Sequence, residues 1–341
     1  MNSRERLLSA LSHSQPDRVP RNFWAEPPTW NRIFDFVGHT DKEKILTQLD
    51  IDIRILDVPG PVDMELGGGV YRNFWGEQFT YRQTDWGPMR EDIHGALHQA
   101  ETFADLEAFD WPSPDQFDYT ALPQQVKRFS ECGLLYGFAD IWERPALLRG
   151  LENMFIDMCE RPDWVHFLAR KFTDFYIEDY TRAAETTNGR IDMFLLISDL
   201  GSQKGPLISK KMFREFIAPY IREMCDCIHG LGAKVLYHSC GSIRTFISEL
   251  IECGIDVLDP IQPLPGMEPE LLKAEFGDRL AFHGGIDIQK ILPLGTPQEV
   301  QRESHKYGEI LGNGGGYILC PAHLFQPDIP PENVFAMYNL Y

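Results

Sequence analysis

"KVLYHSCGS" (234–242), followed by "IRTFISELIECG" (243–254) and "DVLDP" (256–260), is the stretch that decides the fold. An apolar run of strand-forming residues breaks off at a histidine and a cysteine. Helical spacing follows, ends at a glycine, and gives way to a second apolar run. The same unit recurs along the chain. Strand candidates are "DIDIRILDV" (50–58), "LLYGFAD" (134–140), "DMFLLISD" (192–199), "LAFHGGID" (280–287) and "GYILC" (316–320), with helical patterns between those from 134 onward. Strand–helix repetition implies a parallel sheet with right-handed crossovers. Seven strands are legible, and one more would close a (β/α)8 TIM barrel; an open doubly wound sheet is the other architecture with this rhythm.

Residues 59–115 break the pattern with glycine- and aromatic-rich text, "GGGVYRNFWGEQFTYRQTDWGPMREDIHGALHQAETF", which reads as a β-hairpin insertion after the first strand. No linker or repeat divides the chain, so residues 1–341 are expected to form one domain.

The formal charge of −19, from 32 Lys+Arg against 51 Asp+Glu, repels phosphate backbones and anionic lipid, which argues against nucleic-acid or membrane partners. The opening "MNSRERLLSALSHSQPDRVP" lacks the apolar core of a secretory signal, and no run reaches membrane-spanning length; a cytoplasmic location is expected. The seven cysteines therefore read as thiols, and a cysteine beside a histidine points to metal or catalysis before a disulfide.

Polar residues gather at strand ends: Asp57, Asp140, Asp199, His238 with Cys240, Asp259, His283 with Asp287, and Cys320 with His323. In a (β/α)8 barrel those ends share one mouth, where function collects. His238 and Cys240 stand two apart on a strand, so both side chains face the same way. A zinc ion takes three or four N/S ligands, and a catalytic site leaves one position open. Either member of the distant "CPAH" (320–323), Cys320 or His323, is a candidate third ligand. Imidazole and thiolate suit zinc better than magnesium or calcium. The competing reading is a buried His/Cys pair with no ion, since free cysteine is a common core residue. Cys225 and Cys227 diverge on a helix and read as packing, and no Gly-x-Ser-x-Gly elbow is present.

The segments "RERLLSALSHSQPDRVP", "ERPALLRGLENMFIDM", "ISDLGSQKGPLISKKMFREFIAPYIREM", "YHSCGSIRTFISELIECGIDVLDPIQP", "FHGGIDIQKILPLGTPQEV" and "GGGYILCPAHLFQPDIPPENVFAMY" resemble the uroporphyrinogen decarboxylase (URO-D) superfamily. Within it they are most similar to the branch of zinc-dependent, cobalamin-linked methyltransferases. The resemblance implies a barrel with its cleft at the C-terminal mouth, with zinc as cofactor and a corrinoid carried by a partner protein. It further implies methyl transfer between that corrinoid and a thiol or a methoxy- or methylamine-type small molecule. His238 and Cys240 match the branch's His-x-Cys, while its distant cysteine falls at His323, with Cys320 three residues earlier. Asp57 and Asp199 are then expected as catalytic carboxylates, and Glu143, Gln262, His283 and Asp287 as substrate contacts. The superfamily's other chemistry is porphyrinogen decarboxylation. Asp57 resembles its catalytic aspartate and His323 a histidine near its site, but the arginine-bearing N-terminal stretch that binds substrate carboxylates is replaced by "RVPRNFWAEPPTWNRIF".

Overall fold

The computed structural model describes residues 1–338. Its strands in chain order are β1 (Ile53–Leu56), β2 (Met64–Gly67), β3 (Val70–Arg72), β4 (Gln78–Thr84), β5 (Gly87–His94), β6 (Gly133–Asp140), β7 (Met193–Ile197), β8 (Gly201–Ser202), β9 (Gly205–Pro206), β10 (Lys234–His238), β11 (Val257–Asp259), β12 (Ala281–His283) and β13 (Tyr317–Ile318). Seven of them form one parallel sheet in the order β1-β6-β7-β10-β11-β12-β13. Sequence neighbours are neighbours in space throughout, with no reversal of strand order, so the doubly wound alternative is excluded. The sheet curls around a single interior.

No eighth regular strand is present among the described residues. The segment 20–26 lies between the two ends of the sheet instead. The Asn22 and Leu319 N–H groups donate to Leu319 and Pro20 carbonyls, and the Asp52 N–H donates to the Arg21 carbonyl. Arg21 bridges Leu319 in parallel, and Ala25 bridges Phe325. Pro20 has no N–H to give to a ladder, so the pairing stays isolated. Below it, the fully buried Asp52 carboxylate accepts from Arg6 at 2.6 Å, Arg18 at 2.7 Å and the Arg21 N–H at 2.8 Å.

Strand alternation sorts the core into two layers. Ile53, Leu135, Met193, Leu195, Ile197, Leu236, Val257, Ala281 and Ile318 pack together inside the curled sheet, and Leu7 and Leu11 of the first helix, Ser3–Leu11, close its lower end. Intervening residues such as Phe194, Val235, Tyr237, Leu258 and Phe282 face the surrounding helices. The same parity carries His238, Asp259 and His283 inward at the upper ends of β10, β11 and β12.

The expected hairpin insertion is a four-stranded antiparallel sheet, β2-β3-β4-β5. Trp75 at its base stacks on Phe172 of the long helix Pro162–Thr186 at 4.3 Å, and the Arg32 guanidinium lies 5.0 Å over the Trp86 ring.

β6 is interrupted between Tyr136 and Ala139, where Gly137 takes φ +88°. The Tyr180 hydroxyl fills the gap: it accepts the Ala139 N–H at 2.8 Å and donates to the Leu195 carbonyl. A Cβ on Gly137 would stand 2.3 Å from the Tyr180 ring. Gly137→Ala combines left-handed strain with overpacking and is expected to cost about 3 kcal/mol, read as a lower midpoint in urea unfolding.

Candidate metal centre

β10 ends in a tight local structure that presents two side chains to the interior. His238 follows the inward Leu236, and Ser239 turns away, its hydroxyl accepting the Leu200 N–H at 3.0 Å. Cys240 turns back, with its N–H donated to Asp199 Oδ1 at 2.8 Å. The next N–H, from Gly241, donates to Gln262 Oε1 at 2.6 Å. Gly241 has φ +85°, and a Cβ there would meet the Gly201 backbone at 2.5 Å, so only glycine allows this close approach. Cys240 Sγ lies 3.4 Å from His238 Nε2. His323, on the segment after β13, brings its ring centroid to 5.6 Å from that of His238. One ligand atom from each of His238, Cys240 and His323 falls within 4.8 Å of the others.

Behind His238 the buried Asp259 carboxylate accepts two imidazoles, Oδ2 from His238 Nδ1 at 2.5 Å and Oδ1 from His283 Nδ1 at 2.5 Å. That fixes the His238 proton on Nδ1 and turns the Nε2 lone pair toward Cys240, the carboxylate–histidine arrangement that orients metal-binding imidazoles. Burial raises the Asp259 carboxyl, but His283 and His238 outweigh it and hold it well below the usual range. Burial opposes a charge on His238, yet Asp259 and Cys240 hold its pKa well above the ordinary value. Burial pushes the Cys240 thiol up, with His238 opposing. Burial and then His238 pull His323 down. His323 Nδ1 is buried with no hydrogen-bond partner, an uncompensated desolvation unless something binds there. Two imidazoles and one thiol that offer ligand atoms within 4.8 Å of one another fit a soft divalent cation such as zinc.

The other residues singled out in the sequence fall in several places. Cys320 lies outside the cluster: it is fully buried, and burial raises its thiol well above the ordinary value. His283 sits behind Asp259 with no exposed surface and with Nε2 3.0 Å from Asn22 Nδ2. Asp199 stands 3.8 Å from His238 Nε2 and is part of the site's wall. Glu143 is close by; burial and then Asp199 raise its carboxyl, with His238 among the groups opposing. Gln262 supports the Cys240–Gly241 backbone. Asp287 accepts the Gln289 and Lys290 N–H groups and so caps a turn. Asp57 is exposed and borders a separate cavity of about 520 Å³, lined also by Arg90, Arg144, Tyr136 and Phe175, to which His238, Cys240 and His323 do not contribute. Sequence reading named Asp259 only as a strand end and missed Asn22. The inward parity of Val257-x-Asp259 was a usable signal for the first, but an asparagine outside any periodic element carries none.

The uroporphyrinogen decarboxylase (URO-D) family model matches residues 142–341, more than half of the chain and the part that contains every member of this cluster; the protein belongs to that family. Among curated relatives it is similar to a uroporphyrinogen decarboxylase from Pelodictyon phaeoclathratiforme, 26% identical over 37% of this chain and 36% of that protein. It is similar also to a methylated-thiol–coenzyme M methyltransferase from Methanosarcina mazei, 24% identical over 47% of this chain and 40% of that protein. The aligned parts thus span well under half the length of both relatives. Among solved structures a methyltransferase from Methanosarcina mazei shares the fold, with a TM-score of 0.74 at 17% identity, over 100% of this chain and 98% of that one.

At the rim, burial pushes the Asp140 carboxyl up to about 7. The native state therefore binds more protons than the unfolded chain between roughly pH 4 and 7, and stability falls as pH rises through that window. Asp140→Asn removes the effect. The variant should gain on the parent from pH 4 to 7, by at most about 4 kcal/mol, in denaturant unfolding followed against pH.

Proposed function

We propose that this protein is a zinc-dependent methyltransferase of the URO-D family. It would move a methyl group between a corrinoid held by a separate protein and a thiol or a methoxy- or methylamine-type small molecule. The observation that carries the reading is the convergence of His238, Cys240 and His323 within 4.8 Å, with His323 Nδ1 buried and unpartnered. The similarity to a methylated-thiol methyltransferase supports the reaction class. The frame is read as a (β/α)8 barrel whose eighth position is taken by the segment 20–26, with the site at the C-terminal mouth.

His238 through Nε2, Cys240 through Sγ and His323 would hold the ion, leaving one position open. Zinc bound there would keep a substrate thiol as its thiolate at neutral pH or act as a Lewis acid on a donor oxygen or nitrogen. Asp259 holds His238 in the ligating tautomer. Asp199 fixes the Cys240 backbone and puts a negative charge beside the centre. Glu143, raised by burial and by Asp199, is the group suited to exchange a proton with the substrate. Asp57 would line the other cavity, and Asp287 would hold the turn after β12. Cytoplasmic location and docking of the corrinoid protein at the mouth complete the proposal.

Metal analysis of tag-free protein should give about one zinc per chain, and Cys240→Ala should lose both zinc and methyl transfer; metal-free protein with full activity overturns the reading. The third ligand is separable. His323→Ala should weaken zinc by more than about 100-fold, beyond the range of outer-shell changes, whereas Cys320→Ala should retain it and lower only stability.

The family's decarboxylation is favoured by one feature, Asp57 at a cavity that also holds Arg90 and Arg144. Turnover of uroporphyrinogen by metal-free protein would establish it instead.

A further inference from the structure

The hydrogen-bonded line behind the cluster continues past Asp259 to the other end of the chain. His283 Nδ1 meets Asp259, and His283 Nε2 meets Asn22 Nδ2 at 3.0 Å. The amide of Asn22 has only one orientation available, because its Oδ1 already accepts the Phe23 N–H at 2.8 Å. Nδ2 is therefore a donor, and His283 Nε2 must be the acceptor. A neutral imidazole that accepts at Nε2 carries its proton on Nδ1, where it is donated to Asp259. Both Asp259 oxygens are then committed, one to each imidazole. Asn22 is held by its own backbone, with its N–H on the Leu319 carbonyl at 2.9 Å and its carbonyl accepting the Tyr338 hydroxyl at 2.6 Å. Asn22, Asp259 and His283 are all buried, at 1%, 2% and 0% exposure, so no water competes along the line.

We infer that Asn22 and His283 are positioning residues for the metal centre: they fix the proton on His283 Nδ1, which pins Asp259, which in turn holds His238 with its Nε2 lone pair facing Cys240 and His323. The segment 20–26, which stands where a regular strand would have closed the sheet, thereby takes part in metal affinity without touching the metal. The inference rests on the zinc reading of the cluster, but its proton assignment does not.

Two measurements test it on the full-length chain. Long-range ¹H–¹⁵N spectra of metal-free protein should show His283 as a neutral ring protonated at Nδ1. Asn22→Asp keeps the acceptor for the Phe23 N–H but offers Nε2 a second acceptor, and His283 should then appear doubly protonated. Zinc affinity, measured with zinc alone against a chromophoric chelator, should fall roughly 10-fold in Asn22→Asp and between about 10- and 100-fold in His283→Phe. A parent His283 protonated only at Nε2 overturns the proton assignment, whether or not either variant folds. Unchanged zinc affinity in both variants, with the parent binding zinc, overturns the positioning role while leaving the metal reading intact. A parent that binds no zinc overturns both the metal reading and the role, and the spectra of the metal-free protein then judge the hydrogen-bonded line alone.

Discussion

The Asp259 carboxylate constrains the upper half of the molecule. An unpaired carboxylate in a protein interior is costly, and this one is buried with two imidazole N–H groups as its compensation. Those donors come from β10 and β12, the strands on either side of β11, and His238 pairs directly with Asp259 in the β10–β11 register. A slip of one residue in any of the three strands would turn the ring or the carboxylate out toward the helices and leave the remaining partner unsatisfied. Register, sheet curvature and ligand direction are thus set together.

A second buried carboxylate does comparable work at the lower end. Asp52 gathers Arg6 and Arg18 and takes the Arg21 N–H. It fixes the start of β1 and the start of the segment 20–26 at once. From there the segment climbs beside β13 to deliver Asn22 to the level of His283. The two ends of the curled sheet communicate through this stretch, so a feature that is irregular as secondary structure is well determined as a set of hydrogen bonds.

The strand–helix alternation and the His238-x-Cys240 pairing were legible because both follow from short periodicities: apolar runs ending at one polar residue, and parity along a strand. "RNFWAE" was not legible as a piece of the sheet, since it has isolated bridges and no alternation, and Pro20 precedes it. The insertion was read as β from its glycines and aromatics, but its strand number depends on turns whose register only tertiary packing sets. The rivalry between Cys320 and His323 was beyond sequence for a similar reason. Cys320 follows Ile318 by two and so continues its inward parity, whereas His323 lies on irregular chain where parity has no meaning. In sequence a strand-end histidine such as His283 looks the same whether it faces a cleft or backs a carboxylate.

The arginines near Asp57 bear on which of the family's chemistries the scaffold suits. Binding a polycarboxylate requires guanidinium groups free to form paired hydrogen bonds with it. Arg144 instead donates to Glu77 at 2.7 Å and Arg90 to the same oxygen at 3.3 Å, with Glu77 almost fully buried. A carboxylate entering this cavity would meet guanidinium groups already shared with a buried anion, which the Asn73 amide also holds at 2.6 Å. The His238–Cys240–His323 cluster instead gathers neutral-ligand chemistry, two imidazoles and a thiol, in one place, and His323 Nδ1 there is buried without a hydrogen-bond partner. The convergence of His238, Cys240 and His323 therefore supports metal-assisted chemistry at that end of the mouth, while the guanidinium groups near Asp57 are already shared with Glu77.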